Sequence, residues 1–371
     1  MPKHIVVIGA GVIGLSSALL LLQSEESANY TVTLLARDFP APFETIDPLA
    51  HINYTSPWGG AHNRWVPPTA SGEGTREHAF ALATFARMRA LADEAPGAAA
   101  GITFMKGVEY LENPGAEYAA LEAEGGEYAR WALGMEGFRI LGREEFPDER
   151  VKWGCEYDTW CVNPMVYCAF LLRRFVLLGG RVVRGEVRGA VEAFSFPFKD
   201  GIGEKVDAVV NATGVGFGDD ENVFITRGQT CLVAEPCDAT VTRQNADGSW
   251  TFSVPRGFDG GTVIGGTKEP DNWDARPSAE VREQLLERFV ATYPKILEGT
   301  GREKLTVVRD IVGRRPTRKG GLRLEGEVLP GGRFVMHAYG LGGRGFELSW
   351  GVAEGVVEGV RKYFAGEEVK V

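Results

Sequence analysis

The chain opens on a short, nearly continuous apolar run, His4-Ile-Val-Val-Ile8, rich in β-branched residues. Such a run suits a strand buried on both faces of a parallel sheet, because a half-exposed strand would alternate. Gly9-Ala10-Gly11-Val12-Ile13-Gly14 follows at once; a leucine-rich stretch from Leu15 to Gln23 then predicts a helix, and Tyr30 to Ala36 a second strand. Strand, glycine turn, helix and strand are completed within the roughly 30 residues that a parallel crossover needs.

The same pattern returns far along the chain. Tyr167 to Leu178 has the length and leucine spacing of a helix, Gly179-Gly180 ends it, and Arg181-Val182-Val183 begins a strand. Val206 to Val210 reads as another buried strand, running into Asn211-Ala212-Thr213-Gly214. The stretches between alternate instead and carry hairpin signals: Asp247-Gly248, Asp259-Gly260-Gly261, and a strand pair from Trp250 to Val254 and Thr262 to Gly265. The fold class expected is α/β (α+β taken whole). Residues 1–60, 151–223 and 305–371 form a discontinuous Rossmann-type domain, and 61–150 and 224–304 an interleaved mixed or antiparallel one.

Composition narrows the function. A formal charge of -10 over 371 residues argues against nucleic acid, whose binding depends on clustered Lys and Arg releasing counterions. The apolar run from Ile5 to Leu22 is broken by glycines and serines and has no basic leader, so neither a signal peptide nor a membrane span is expected. Five cysteines, Cys155, Cys161, Cys168, Cys231 and Cys237, make an odd count without metal-ligand spacing. They predict buried thiols in a reducing compartment and no metal; a Cys231–Cys237 bridge stays open.

In the glycine turn each glycine has its own task. Gly9 allows a tight turn off the strand, Gly11 lets the backbone approach a pyrophosphate, and Gly14 lets helix and sheet pack closely. The helix start offers unpaired N–H groups and a positive partial charge to the anion. A glycine turn that only packs helix on sheet is the blander alternative. Where a nicotinamide site would place an acidic residue after the second strand, Ala36-Arg37 stand, with Asp38 one place later. Together with the second turn at 211–214 and a late glycine-rich segment before a helix, this favours a flavin dinucleotide without excluding a nicotinamide one.

Several of these motifs occur together elsewhere. GAGVIGLSSAL (9–19), ARD (36–38), TSPWGGAH (55–62), VVNATG (209–214), RGQT (227–230), VIGGT (263–267), VGRRP (312–316) and HAYGLGGRGFELSWG (337–351) resemble the D-amino-acid oxidase family, which includes the D-aspartate oxidases, over nearly the full length. The resemblance implies FAD held non-covalently and hydride transfer from a D-amino acid's Cα to the flavin. The products would be a 2-oxo acid, ammonia and, after reoxidation by O2, hydrogen peroxide. It implies no catalytic acid or base, since the flavin carries the hard chemistry. Cofactor contacts are implied at Gly9, Gly11, Val12, Ile13 and Gly14; at Ala36, Arg37, Ser56, Gly60, Ala61 and Val187; and at Gly342, Gly343, Gly345, Phe346 and Glu347.

For the substrate, the resemblance puts a bidentate carboxylate clamp at Arg315, a task that suits the planar guanidinium. Arg314 beside it would point to the other face of a strand. The Gly343 backbone would accept from the substrate amine. Phe252 stands where the family usually has a tyrosine, keeping the aromatic wall and losing the hydroxyl. Lys268, after GGT, and Arg243, before the Phe252 strand, lie where D-aspartate oxidases carry cations, a slight lean toward acidic D-amino acids. Solvated side chains are the alternative for both, and the direction of Arg344, a third cation, is not readable. Neutral D-amino acids, a glycine or sarcosine oxidase, a nicotinamide dehydrogenase and a flavin-binding protein without oxidase activity remain competing readings. Partners expected are the D-amino acid and O2, with a homo-oligomer left open. The resemblance implies a peroxisomal location, although the tail, Glu368-Val369-Lys370-Val371, has no Ser-Lys-Leu address, which leaves the cytoplasm as the alternative.

Overall fold

The structure is a computed structural model that describes residues 2–42, 45, 47–68, 72–95, 97–198 and 205–369. It is an α/β fold that divides into two units: 1–57, 168–226 and 315–371 form one, and 58–167 with 227–314 the other. The division differs from the expected one chiefly at 151–167. Strand Trp153–Val162 pairs along its whole length with Ile102–Leu111, which fixes it in the second unit.

In the first unit a six-stranded sheet runs in the order Arg323–Leu329, Arg333–Tyr339, Val206–Asn211, Lys3–Ile8, Tyr30–Ala36, Arg181–Arg184. Only the Arg323–Leu329 edge strand is antiparallel. Ile5, Val6, Val7, Leu34, Leu35, Val209 and Val210 are fully buried, as expected of strands covered on both faces. Helix Val12–Leu21 begins three residues earlier than the leucine pattern indicated, because Val12, Ile13 and Gly14 of the glycine turn already form its first turn. Helix Pro164–Leu177 likewise starts ahead of Tyr167.

The second unit is built on a ten-stranded, mostly antiparallel sheet. The expected hairpin is present: Trp250–Pro255 pairs antiparallel with both Ala239–Gln244 and Thr262–Gly265. One sheet face carries Ala239, Val241, Cys231 and Ile264, packed against Leu286 and Phe289 of helix Ala279–Thr292. The other, set by the two-residue period of the strands, carries Glu109, Thr240, Thr242, Gln244, Trp250 and Phe252. All five cysteines are buried and free, so the Cys231–Cys237 bridge left open by the sequence is not formed. No described helix is long and apolar enough to cross a membrane.

Candidate active site

The first unit brings two loops together at the carboxyl ends of adjacent strands. Lys3–Ile8 feeds the glycine turn and its neighbour Val206–Asn211 feeds Ala212–Gly214, with Ala212 N–H donating to Ile8 O at 3.0 Å. Gly9 has φ +103°, and a Cβ there would sit 2.5 Å from Ala212 O; one on Gly14 would sit 1.8 Å from Gly9 O. Both positions admit only glycine. A Cβ on Gly11 would meet nothing nearer than Ser56 Oγ at 3.1 Å, so this glycine leaves space in front of the helix.

The helix start leaves backbone donors uncapped by side chains of its own. Its N-cap is Gly11, with no side chain to cap it, and its first turn has no acidic residue. Val12 N–H donates to Ser56 Oγ at 3.0 Å, and Leu15 is the first residue whose N–H turns back into the helix, to Gly11 O at 2.9 Å. Helix geometry leaves Ile13 and Gly14 without an intrahelical acceptor. Tyr54 Oη donates to Ala10 O at 2.7 Å and anchors the segment that carries Ser56. This donor set and its open glycine fit the diphosphate of a dinucleotide.

The remaining expected cofactor residues fall into three groups. Ala36 ends its strand, while Arg37 is paired with Asp38 (2.9 Å) and Glu186 (3.4 Å), and Val187 packs against the cluster of Ile8 and Leu35. Gly342 has φ +58° and donates to Pro316 O at 2.8 Å; Gly343 is exposed, with open space where a Cβ would be; Gly345 lies against Val12, which brings this late segment to the first helix. Phe346 and Glu347 are buried there, and Arg344 pairs with Glu347, which settles its direction. Gly60 and Ala61 belong to the second unit, where a Cβ on Gly60 would touch Val254 at 3.2 Å and Phe252 at 3.5 Å.

Among the expected substrate residues, Arg315 is half-buried. Its neighbour Arg314 is spent elsewhere, stacked over the Trp273 ring at 5.1 Å and donating to Trp273 O. Phe252 lies across Gly265, whose Cβ would collide with the ring at 2.1 Å. Lys268 is exposed, with no carboxylate at pairing distance among the described residues. Buried Arg227 takes the next side chain, Glu269, in an ion pair at 2.7 Å.

Arg243 requires a correction. Its register partner is Thr251, not Phe252, so its side chain lies on the opposite sheet face from the Phe252 ring. There it is 2% exposed, bonded to Glu112 and in bidentate contact with Asp148 at 2.9 and 3.0 Å. Two carboxylates of the protein already neutralise it, which removes the reason to assign it a substrate carboxylate.

The sequence reading passed over the polar face itself. Half-buried His62 bonds through Nδ1 to Thr240 Oγ1 at 2.7 Å. Buried Glu109 accepts from Gln244 at 2.9 Å and lies 3.5 Å from Arg64, whose guanidinium stacks over Trp250 at 4.4 Å. Only part of the signal is in the sequence: Ala-Thr-Val-Thr (239–242) alternates, whereas Ala-His-Asn-Arg-Trp (61–65) has three polar residues in a row.

A strand-first glycine cradle, a facing Asn-Ala-Thr-Gly turn and a late glycine segment at the same helix define a protein of the Rossmann dinucleotide-binding class. The family model described as DAO, FAD dependent oxidoreductase, matches residues 4–358, and the chain belongs to that family. It is 43% identical over 366 residues to a D-aspartate oxidase of Talaromyces thermophilus, covering 96% of this chain and 95% of that one. It is 31% identical to a D-amino-acid oxidase of Fusarium vanettenii, covering 98% of each. The fold is shared with L-proline dehydrogenase from P. horikoshii (TM-score 0.68, 17% identity, 99% and 95% covered) and glycine oxidase from Geobacillus kaustophilus (TM-score 0.65, 20% identity, 99% and 96% covered).

Proposed function

We propose that the chain is an FAD-dependent oxidase of D-amino acids with a preference for acidic ones. Likeness at 43% identity over nearly the whole of both chains to a D-aspartate oxidase carries this reading. The uncapped helix start and its glycine cradle support FAD as the cofactor, whose diphosphate the Ile13 and Gly14 amides would hold, with Ser56 beside them. Bound there, FAD would supply the acceptor for the hydride leaving Cα.

The chain's own residues then have to hold the substrate rather than transform it. Arg315 clamps the α-carboxylate in two parallel hydrogen bonds, and the exposed backbone of Gly343 accepts from the amine. Phe252 supplies an apolar wall, held flat by the missing side chain of Gly265. With Arg243 withdrawn, Lys268 is the cation proposed for a substrate's second carboxylate, because it is exposed and no carboxylate of the described residues neutralises it. A peroxisomal location and a homo-oligomer stay outside this reading.

Peroxide release on adding D-aspartate, D-glutamate, D-alanine and L-aspartate to the purified holoprotein tests the proposal. D-aspartate and D-glutamate should give the highest kcat/KM and L-aspartate none. Lys268→Ala should lower kcat/KM for D-aspartate about tenfold, the scale of one charge-assisted bond, while sparing D-alanine. A D-alanine preference, or a D-aspartate advantage that survives the substitution, removes the acidic assignment.

A further inference from the structure

On the polar face of the second unit's sheet, Thr240 Oγ1 lies 2.8 Å from the Ser253 carbonyl and 2.7 Å from His62 Nδ1. A carbonyl can only accept, so with the single hydroxyl proton given to Ser253, Thr240 accepts from Nδ1–H and Nε2 is left a lone pair. Nε2 has no partner among the described residues. The ring is also kept neutral: burial first, and the charge of Arg64 second, hold its pKa down to about 3.

The position is next to the aromatic wall. Thr240 lies two residues along its strand from Thr242, the cross-strand partner of Phe252, on the same face. Gly60, two residues before His62, packs on Val254 and the Phe252 ring. A neutral acceptor here discriminates sharply between the two ends of an amino acid. It gains nothing from an ionised carboxylate, and an aliphatic or acidic α-amino acid has no N–H donors except those of its amine.

We propose that His62 Nε2 accepts a hydrogen bond from the amine of the substrate, with Thr240 as the positioning residue that fixes the tautomer. The inference rests on the oxidase reading above and refines it by giving the amine a side-chain acceptor. No proton transfer is assigned to the ring. His62 orients the amine, and so Cα, without competing for the proton.

The test compares a ligand with its amine-free counterpart in the holoenzyme. D-aspartate affinity comes from the concentration dependence of anaerobic flavin reduction, and succinate affinity from its perturbation of flavin absorbance. His62→Leu should weaken D-aspartate about tenfold or more, the loss of one hydrogen bond to a charged group, and change succinate by less than about twofold. His62→Asn, which keeps an acceptor, should recover part of the loss, and Thr240→Val should give a smaller loss of the same kind. Equal weakening of both ligands in the Leu and Asn variants would mean a structural role and overturn the proposal, as would unchanged D-aspartate affinity. Thr240→Val behaving as wild type would overturn the tautomer assignment. A wild-type holoenzyme that binds succinate but is not reduced by any D-amino acid sinks the oxidase reading itself, a separate outcome.

Discussion

Arg243 is neutralised by the protein, whereas Arg315 is proposed to hold the substrate, and the two predict different outcomes on substitution. Arg243 is enclosed by Glu112 and Asp148, and Arg243→Ala would strand two partly buried carboxylates. The expected result is a loss of about 3 kcal/mol in denaturant unfolding, with the ratio of D-aspartate to D-alanine turnover unchanged. A changed ratio at full stability would restore the arginine to the substrate site. Arg315→Lys should lower kcat/KM by about 100-fold or more in steady-state assays, since a lysine keeps the charge and loses the paired bonds. Near-normal turnover would remove Arg315 from the clamp. The sequence names the chemistry of such residues but not their direction. Arg243 and Phe252 are near one another in sequence, yet their faces are decided by a register that only strand pairing reveals.

Among elements, the opening strand, turn and helix were legible because each glycine there answers a steric demand local to the motif. Gly14→Ala forces a Cβ to within 1.8 Å of Gly9 O, so the helix must shift off the turn. The expected outcome is an apoprotein that still shows its secondary structure by circular dichroism but binds FAD at least about tenfold more weakly by flavin fluorescence titration, since a shifted helix start no longer aims its amides at the diphosphate. Unaltered FAD affinity would argue that the turn is only a packing device. Helix Gly72–Glu94 was not legible, and stands where alternation suggested strands. Its buried stripe of Ala81, Phe85, Met88 and Leu91 does follow the helical period, but the charged residues between dilute it. That strand Trp153–Val162 falls in the second unit and not the first was not legible for a different reason: pairing with a strand some 50 residues earlier leaves no local trace in the sequence.

Across the whole molecule, the two-unit plan was readable from the return of parallel-strand patterns, while the residues where it divides were not. Two histidines, half-buried His62 and buried His337, also link the fold to pH. His62 is neutral in the folded chain down to about pH 3, whereas an unfolded histidine takes up a proton near pH 6.5. Between those values the unfolded state binds the extra proton, so stability is fully present above pH 6.5 and declines as pH falls toward 3. His337, whose pKa is lowered by burial and by Arg323, acts with the same sign. Unfolding midpoints measured from pH 7 to 5, above the range where carboxylates titrate, should fall in the wild type and fall less in His62→Asn. Parallel curves would contradict a neutral His62. The most direct test of the central claim is an anaerobic titration of the purified, FAD-loaded protein with D-aspartate, followed in the visible flavin band. The band should bleach with D-aspartate and stay unchanged with L-aspartate; a protein that retains no FAD, or whose band survives excess D-amino acid, would contradict the account.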